Sequence, residues 1–259
     1  MSEFERLPAI SAPMPWQADP WSRIKQQLDT GQLPHALLLA GPRYTGKERL
    51  ALSLSRLLLC HEPDGGLNCG RCHACELSAS GNHGDFRWLQ PGDKSRVIKI
   101  DQVREVVEFG NKTAAFGRRK VVVLTPADSM NTSAANALLK SLEEPAADTY
   151  LILVCHRLQG VPATIRSRCQ LLKLPVPGRE ESLQWLDLMT GDRGVSEQLL
   201  AVADQRPLLA EQLFRDDSSD ALHAQRVAVQ GLLAGTVTAP QVLALLGDTP
   251  VEEALEQLT

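Results

Sequence analysis

Ala36-Leu37-Leu38-Leu39-Ala40-Gly41-Pro42-Arg43-Tyr44-Thr45-Gly46-Lys47-Glu48 passes from five consecutive apolar residues into a glycine-bounded loop that ends on a lysine. An uninterrupted apolar run of this length fits a strand buried on both faces of a parallel sheet. Beyond the lysine, Leu50, Leu54, Leu57 and Leu58 fall at helical spacing. Strand, glycine turn and helix in that order form the layout of a phosphate-binding loop, whose backbone N–H groups cradle phosphates while its lysine meets the outer ones. Gly41, Gly46 and Lys47 are therefore candidate ATP-binding residues. The next position, where a Ser or Thr hydroxyl would ligate Mg²⁺, holds Glu48 and would set a carboxylate beside the phosphates. Two readings stay open, a tight strand-to-helix turn or a residual nucleotide site, and metal-supported hydrolysis is disfavoured.

Outward from this stretch, strands and helices alternate. Phe86–Leu89, Val121–Leu124, Tyr150–Cys155 and Gln170–Leu174 read as further strands, and Trp21 to Leu28, after a proline-rich lead, as a short helix. Asp101 is expected to cap the helix carrying Val103, Val106 and Val107, and a helix with Ala135, Leu138, Leu139 and Leu142 on one face stops before Pro145. The pattern predicts an α/β fold with a wound parallel sheet covered by helices. The Val121–Leu124 strand ends in Thr125-Pro126, where a working ATPase needs acids for Mg²⁺ and water. Asp128, three residues on, reads as a turn or helix-capping residue ahead of Asn131–Leu142.

The character changes near Pro175-Val176-Pro177-Gly178, beyond which only helical patterns follow, among them Leu183, Leu186 and Leu188. The expected division is residues 1–175 for the sheet domain, 176–215 for a small helical domain, and 216–259 for the start of a further helical domain. After Arg215, where the polar break Arg215–Asp220 begins, only ~44 residues follow, few for an independently stable helical domain. Either they dock on the preceding helices or they are the cut-off beginning of a further domain. With 43% hydrophobic residues the 259-residue chain has material for one sizeable core. A net charge of −4 argues against a protein that holds nucleic acid by its own electrostatics. No apolar run approaches the ~20 residues that span a bilayer, and Met1–Arg6 lacks the basic flank and apolar core of a secretion signal. A cytoplasmic protein without membrane contact is expected.

Cys60, Cys69, Cys72 and Cys75 follow the spacing C-x8-C-x2-C-x2-C. Two successive C-x2-C steps let thiolates converge on one tetrahedral zinc, and the glycine-rich insert around them has too few apolar residues to fold by burial alone. Four cysteines complete the set, so the zinc is structural and His61 and His73 are expected to face solvent. Cys155 and Cys169 lie in apolar runs and read as core thiols.

In Thr164-Ile165-Arg166-Ser167-Arg168-Cys169, Pro162 starts a short helix and Arg168 falls at the boundary before the next strand. An edge arginine is either an ordinary surface residue or one that reaches a neighbouring subunit's γ-phosphate. Position alone does not choose between Arg168 and Arg166.

Pro34-His35-Ala36-Leu37-Leu38-Leu39, the Gly-x4-Gly-Lys loop, the four-cysteine insert, Asn136–Pro145 (Asn-Ala-Leu-Leu-Lys-Ser-Leu-Glu-Glu-Pro) and the Ser167-Arg168-Cys169 loop occur together and in order. In that combination the chain resembles an AAA+ subunit of the bacterial clamp loader over roughly its first two thirds. The resemblance implies an AAA+ core, a helical lid and a helical collar domain. It also implies a trans-acting finger at Arg168, with Arg166 as the alternative, serving the ATP of a gamma or tau subunit. Glu48, Thr125 and Pro126 depart from the active pattern, as in a non-hydrolysing member, and His156 falls where active members sense the γ-phosphate. The implied partners are gamma/tau, the clamp-opening delta subunit, the sliding clamp and primer-template DNA, met within a hetero-oligomer. An active gamma/tau-type ATPase and a zinc-dependent DNA-binding module are the competing readings.

Overall fold

The apolar run Ala36–Ala40 forms strand β1, and all five of its residues are buried. It lies inside a five-stranded sheet with β2 (Phe86–Leu89), β3 (Lys120–Leu124), β4 (Thr149–Cys155) and β5 (Gln170–Lys173), in the order β2-β3-β4-β1-β5. Every pairing is parallel; Leu38 stands opposite Leu153 on one side and Leu171 on the other. The computed structural model describes residues 8–92, 95–116 and 119–246.

Because side chains alternate along a strand, each central strand feeds two cores. Leu37, Leu39, Val121, Val123, Ile152 and Val154 pack with Ile24 of α1 (Ala18–Asp29) and with Leu50 and Leu54 of α2 (Lys47–Leu59). Leu38, Val122, Leu124, Leu151 and Leu153 pack on the opposite face. There they meet Val103 and Val106 of α4 (Ile100–Asn111), which follows α3 (His73–Ala79), and Leu138 and Leu142 of α5 (Thr132–Glu143). The result is a helix–sheet–helix sandwich in which the parallel strands need no polar face. Strand ends and the loops that follow them are then the places left for polar chemistry.

The local details differ from expectation in four places. Asp101 does not cap α4: the helix starts at Ile100, and the N–H of Lys99 donates to Gln102 Oε1 at 3.0 Å. Asn131 rather than Asp128 caps α5, accepting the N–H of Ala134 at 2.8 Å. The cysteine insert contains a helix, α3, whose residues show no apolar period long enough to announce it. Leu188 is 85% exposed, because Leu183 and Leu186 already fill the buried face of its helix.

Contacts divide the chain into Met1–Val176 and Pro177–Thr259. In the second unit α7 (Arg179–Thr190), α8 (Arg193–Val202) and α9 (Pro207–Arg215) bury Leu183, Leu186, Leu199, Leu200, Leu209 and Leu213. Arg193 bonds Glu180 at 2.6 Å and Asp187 at 2.9 Å, tying α7 to the start of α8. α10 (Ser219–Leu233) and α11 (Ala239–Leu246) pack around Ala228 and Val242. Among the described residues no helix is long and apolar enough to cross a membrane.

Candidate functional site

The phosphate loop joins β1 to α2, and its shape is set by Gly46, whose φ of 87° lies in the left-handed region that favours glycine. Its lysine points inward. Lys47 is fully buried, its Nζ donates to the carbonyl of Pro42 within the same loop, and burial pulls its pKa below the usual lysine range. A Cβ added at Gly41 would sit 3.6 Å from Lys47 Cδ, ordinary van der Waals contact, so the lysine stem does not depend on glycine at that position. Thr45 Oγ1 also donates to Pro42 O, at 2.9 Å, and the Thr45 carbonyl accepts Trp16 Nε1 at 2.9 Å and Gln17 Nε2 at 3.2 Å. The side-chain donors of Lys47 and Thr45 thus meet the Pro42 carbonyl of their own loop.

Glu48 follows on α2, with Oε1 3.8 Å from His156 Nε2. Burial, then the positive charges of Lys47, Arg43 and Arg157, hold His156 down at about 3, so it is neutral at pH 7 and the contact is not an ion pair. At the end of β3 the carboxylate of Asp128 accepts the N–H of His156 at 2.9 Å and that of Arg157 at 3.2 Å. Both oxygens therefore serve to fasten the end of β4. Asp128 thus lies in a short 3₁₀ turn, Ala127–Ser129, as the turn reading expects, but it fastens β4 and does not cap α5. No spacing rule reveals that role, because the partners lie at the end of the neighbouring strand.

At the other end of α2, Cys60 is the C-cap. The sulfurs of Cys60, Cys69, Cys72 and Cys75 all lie within 4.8 Å of one another. Cys60 and Cys72 are 3.9 Å apart, Cys69 and Cys75 3.9 Å, and Cys60 and Cys75 3.6 Å. A tetrahedral ion at ~2.3 Å from each sulfur requires sulfurs about 3.8 Å apart, so the set fits a metal ion of the zinc type. The N–H groups of Cys69 and Cys72 point at Cys60 Sγ and Cys69 Sγ, each at 3.3 Å, as suits thiolate acceptors. Burial pushes Cys60 up to about 12, whereas at Cys72 burial is outweighed by backbone N–H groups and the thiol comes down to about 6. His61 and His73 are exposed and stand outside the sulfur set.

Two buried polar side chains that no motif announces brace this insert. Asn68 accepts the N–H of Ser11 at 2.8 Å, donates to the carbonyl of Ala9 at 2.8 Å and reaches Cys75 Sγ at 3.5 Å. Arg56, 1% exposed, donates to Pro8 O at 2.8 Å and Ser11 Oγ at 2.7 Å. Cys155 is fully buried and burial pushes its thiol up to about 11; Cys169 is half-buried and pushed to about 12 by the same cause.

Arg168 follows α6 (Ala163–Arg166), which starts after Pro162, and immediately precedes Cys169 and β5. Its Nε donates to Glu143 Oε1 at 2.7 Å and its Nη2 lies 2.5 Å from the same oxygen. Nη1 donates to the carbonyl of Thr164 at 3.0 Å and to Ser167 Oγ at 3.3 Å. The side chain remains 34% exposed. Arg166 ends α6 and is exposed. The sequence pattern singles out both arginines, and it includes Glu143 in the Asn136–Pro145 stretch without linking it to Arg168, 25 residues on.

The family described as "DNA polymerase III, delta subunit" has a sequence model that matches residues 16–177. The DNA polymerase III subunit delta' of Pseudomonas aeruginosa is 44% identical over 201 residues, covering 77% of this chain and 60% of the relative. The Yersinia pestis subunit delta' is 34% identical over 250 residues, covering 94% and 72%. For Escherichia coli K12 the figures are 38% over 172 residues, 66% and 52%. The chain therefore spans between about half and three quarters of these relatives' lengths. A DNA polymerase III gamma subunit-related protein from Thermotoga maritima shares the fold at a TM-score of 0.53 and 18% identity, over 92% of this chain and 82% of that one. With a family match across most of the sheet unit and a relative this similar along most of both lengths, the chain belongs to the family of DNA polymerase III delta' subunits.

Proposed function

We propose that this chain acts in a bacterial DNA polymerase III clamp loader as a subunit that does not hydrolyse ATP itself and that completes a neighbouring ATP site with Arg168. The observation that carries this reading is the contrast between two cations. The loop lysine is buried against Pro42 O, whereas the Arg168 guanidinium is at the surface beside a helix end. Glu48 and the engaged carboxylate of Asp128 further support the absence of a Mg²⁺ site. A guanidinium placed against a neighbour's γ-phosphate offsets the charge that develops on its oxygens during transfer, without needing phosphate chemistry in this chain.

In this reading the neighbour is a gamma or tau ATPase, and the delta subunit, sliding clamp and primer-template DNA are met through the assembled complex in the cytoplasm. The cysteine set holds a structural zinc, with no coordination position left for water. Residues 176–215 serve as the lid and 216–259 contribute to the collar. The retained Gly46 and Lys47 favour a second reading, an active gamma/tau-type ATPase, which requires Mg²⁺-dependent turnover by the isolated chain.

Reconstitution with the ATPase and delta subunits tests the proposal. Arg168→Ala should lower turnover of the assembly by at least about tenfold while leaving this chain folded. Arg166→Ala should not. Unchanged turnover in the Arg168 variant, or turnover by this chain alone, overturns the assignment.

A further inference from the structure

The guanidinium of Arg168 is already occupied. All three of its nitrogens have acceptors from this chain: Nε and Nη2 on Glu143 Oε1, Nη1 on Thr164 O and Ser167 Oγ. The edge formed by Nε and Nη2 is the one that takes two oxygens of a carboxylate or phosphate side-on, and a carboxylate oxygen fills it. Glu143 is the last residue of α5 and is itself 50% exposed, so the pair lies where a partner's phosphate has access. An exposed ion pair of this kind adds little to fold stability. Its consequence is for availability: a phosphate oxygen and the Glu143 oxygen compete for the same N–H groups, and a carboxylate left beside a bound γ-phosphate would repel it.

We propose that Glu143 is a latch that parks Arg168 in the free chain by standing in for a phosphate oxygen, and that engagement of the neighbouring nucleotide requires the arginine to leave it. The inference rests on the reading of Arg168 as the trans-acting finger. Glu143 is a positioning residue that acts through Arg168 and touches no substrate. Because a site bound only in its competent state has its apparent affinity reduced by the fraction of that state, releasing the latch strengthens engagement. For an exposed pair, the gain is about two- to fivefold.

Two measurements separate the latch from the finger. In the free chain, the Nε–H signal of Arg168, identified by its loss in Arg168→Ala, should be protected from solvent exchange, and Glu143→Ala should remove that protection. Equal protection in both proteins overturns the latch whatever Arg168 does in the complex. In the reconstituted assembly, Glu143→Gln should lower the ATP concentration for half-maximal turnover about two- to fivefold. The double variant Glu143→Gln with Arg168→Ala should behave as Arg168→Ala alone. If Glu143→Gln leaves that concentration unchanged or raises it while Arg168→Ala abolishes turnover, the latch falls and the finger stands. If Arg168→Ala changes nothing, the finger reading fails and the inference with it.

Discussion

Helix α2 carries a ligand-bearing motif at each end, and the chain treats the two ends in opposite ways. At its start, the side chains of Lys47 and Thr45 both turn onto the carbonyl of Pro42. At its finish, Cys60 joins three other sulfurs spaced for a common ion. Both motifs supply donors of the right kind in the right order. What separates them is what those side chains meet in the chain: Lys47 and Thr45 give their donors to the Pro42 carbonyl, whereas the four sulfurs meet one another at the spacing a shared ion requires. The persistence of a motif therefore says less about function than the direction its donors face.

The largest expected effect lies at the cysteine end. Metal analysis should return about one zinc per chain, and Cys69→Ser or Cys72→Ser should lose the metal and the order of residues 60–79. Structural zinc sites contribute on the order of 10 kcal/mol to small domains, but here the sheet core does not depend on the insert. Hydrogen exchange should therefore rise locally, around α3, while β1, β3 and β4 stay protected. A variant that loses zinc yet keeps the insert protected would show that Asn68 and Arg56, not the ion, hold it, and the contrast between the two ends of α2 would weaken.

An intermediate effect is expected beside the phosphate loop. His156 is held at about 3, below the 6.5 of a free histidine, by burial and three neighbouring cations. Its native state favours the neutral form, so the associated stability is complete above pH 6.5 and is lost as pH falls from there towards about 3, where the unfolded chain binds a proton that the folded chain refuses. Relative to His156→Asn, the natural chain should lose up to about 1.4 kcal/mol per pH unit below that point. Urea unfolding of both proteins between neutrality and mild acid checks this. Parallel pH curves would mean that the histidine titrates freely and that the loop region is open to water, contrary to the burial of Lys47 and His156.

Much of this architecture was legible in the residues because burial on both faces leaves an unmistakable trace. The runs Ala36–Ala40, Val121–Leu124 and Tyr150–Cys155 are almost wholly apolar, and they are the three central strands. The cysteine spacing was legible for a similar reason, since convergence within a short insert is a local property. Pairings across the fold left no such trace. Asp128 clasps β4 from the end of β3, and Glu143 at the end of α5 meets Arg168 in the loop before β5, so each depends on how separate elements pack. Lys47 matches the pattern of a phosphate-binding lysine letter by letter, and only the packing of the loop turns it inward.

The smallest effect should come from the most tempting repair, Glu48→Thr, which restores the hydroxyl that would ligate Mg²⁺. Glu48 is about one-third exposed and faces a neutral histidine at 3.8 Å, so its loss removes only the solvent-screened attraction between its carboxylate and Lys47. Stability should move by no more than about 0.5 kcal/mol. Turnover by the isolated chain should stay absent, because the hydroxyl answers only one of three departures. Thr125-Pro126 offers no carboxylate at the end of β3, and both oxygens of Asp128 are committed to the amides of His156 and Arg157. Recruiting that aspartate to a metal would break two hydrogen bonds at the end of β4, the one to His156 part-buried and the one to Arg157 exposed, at a net cost of about 1 kcal/mol each. Mg²⁺-dependent hydrolysis by the Glu48→Thr chain would mean that the loop opens readily and that Asp128 lets go of β4. The two ends of α2 would then differ by a single side chain rather than by the way the whole sheet edge is tied.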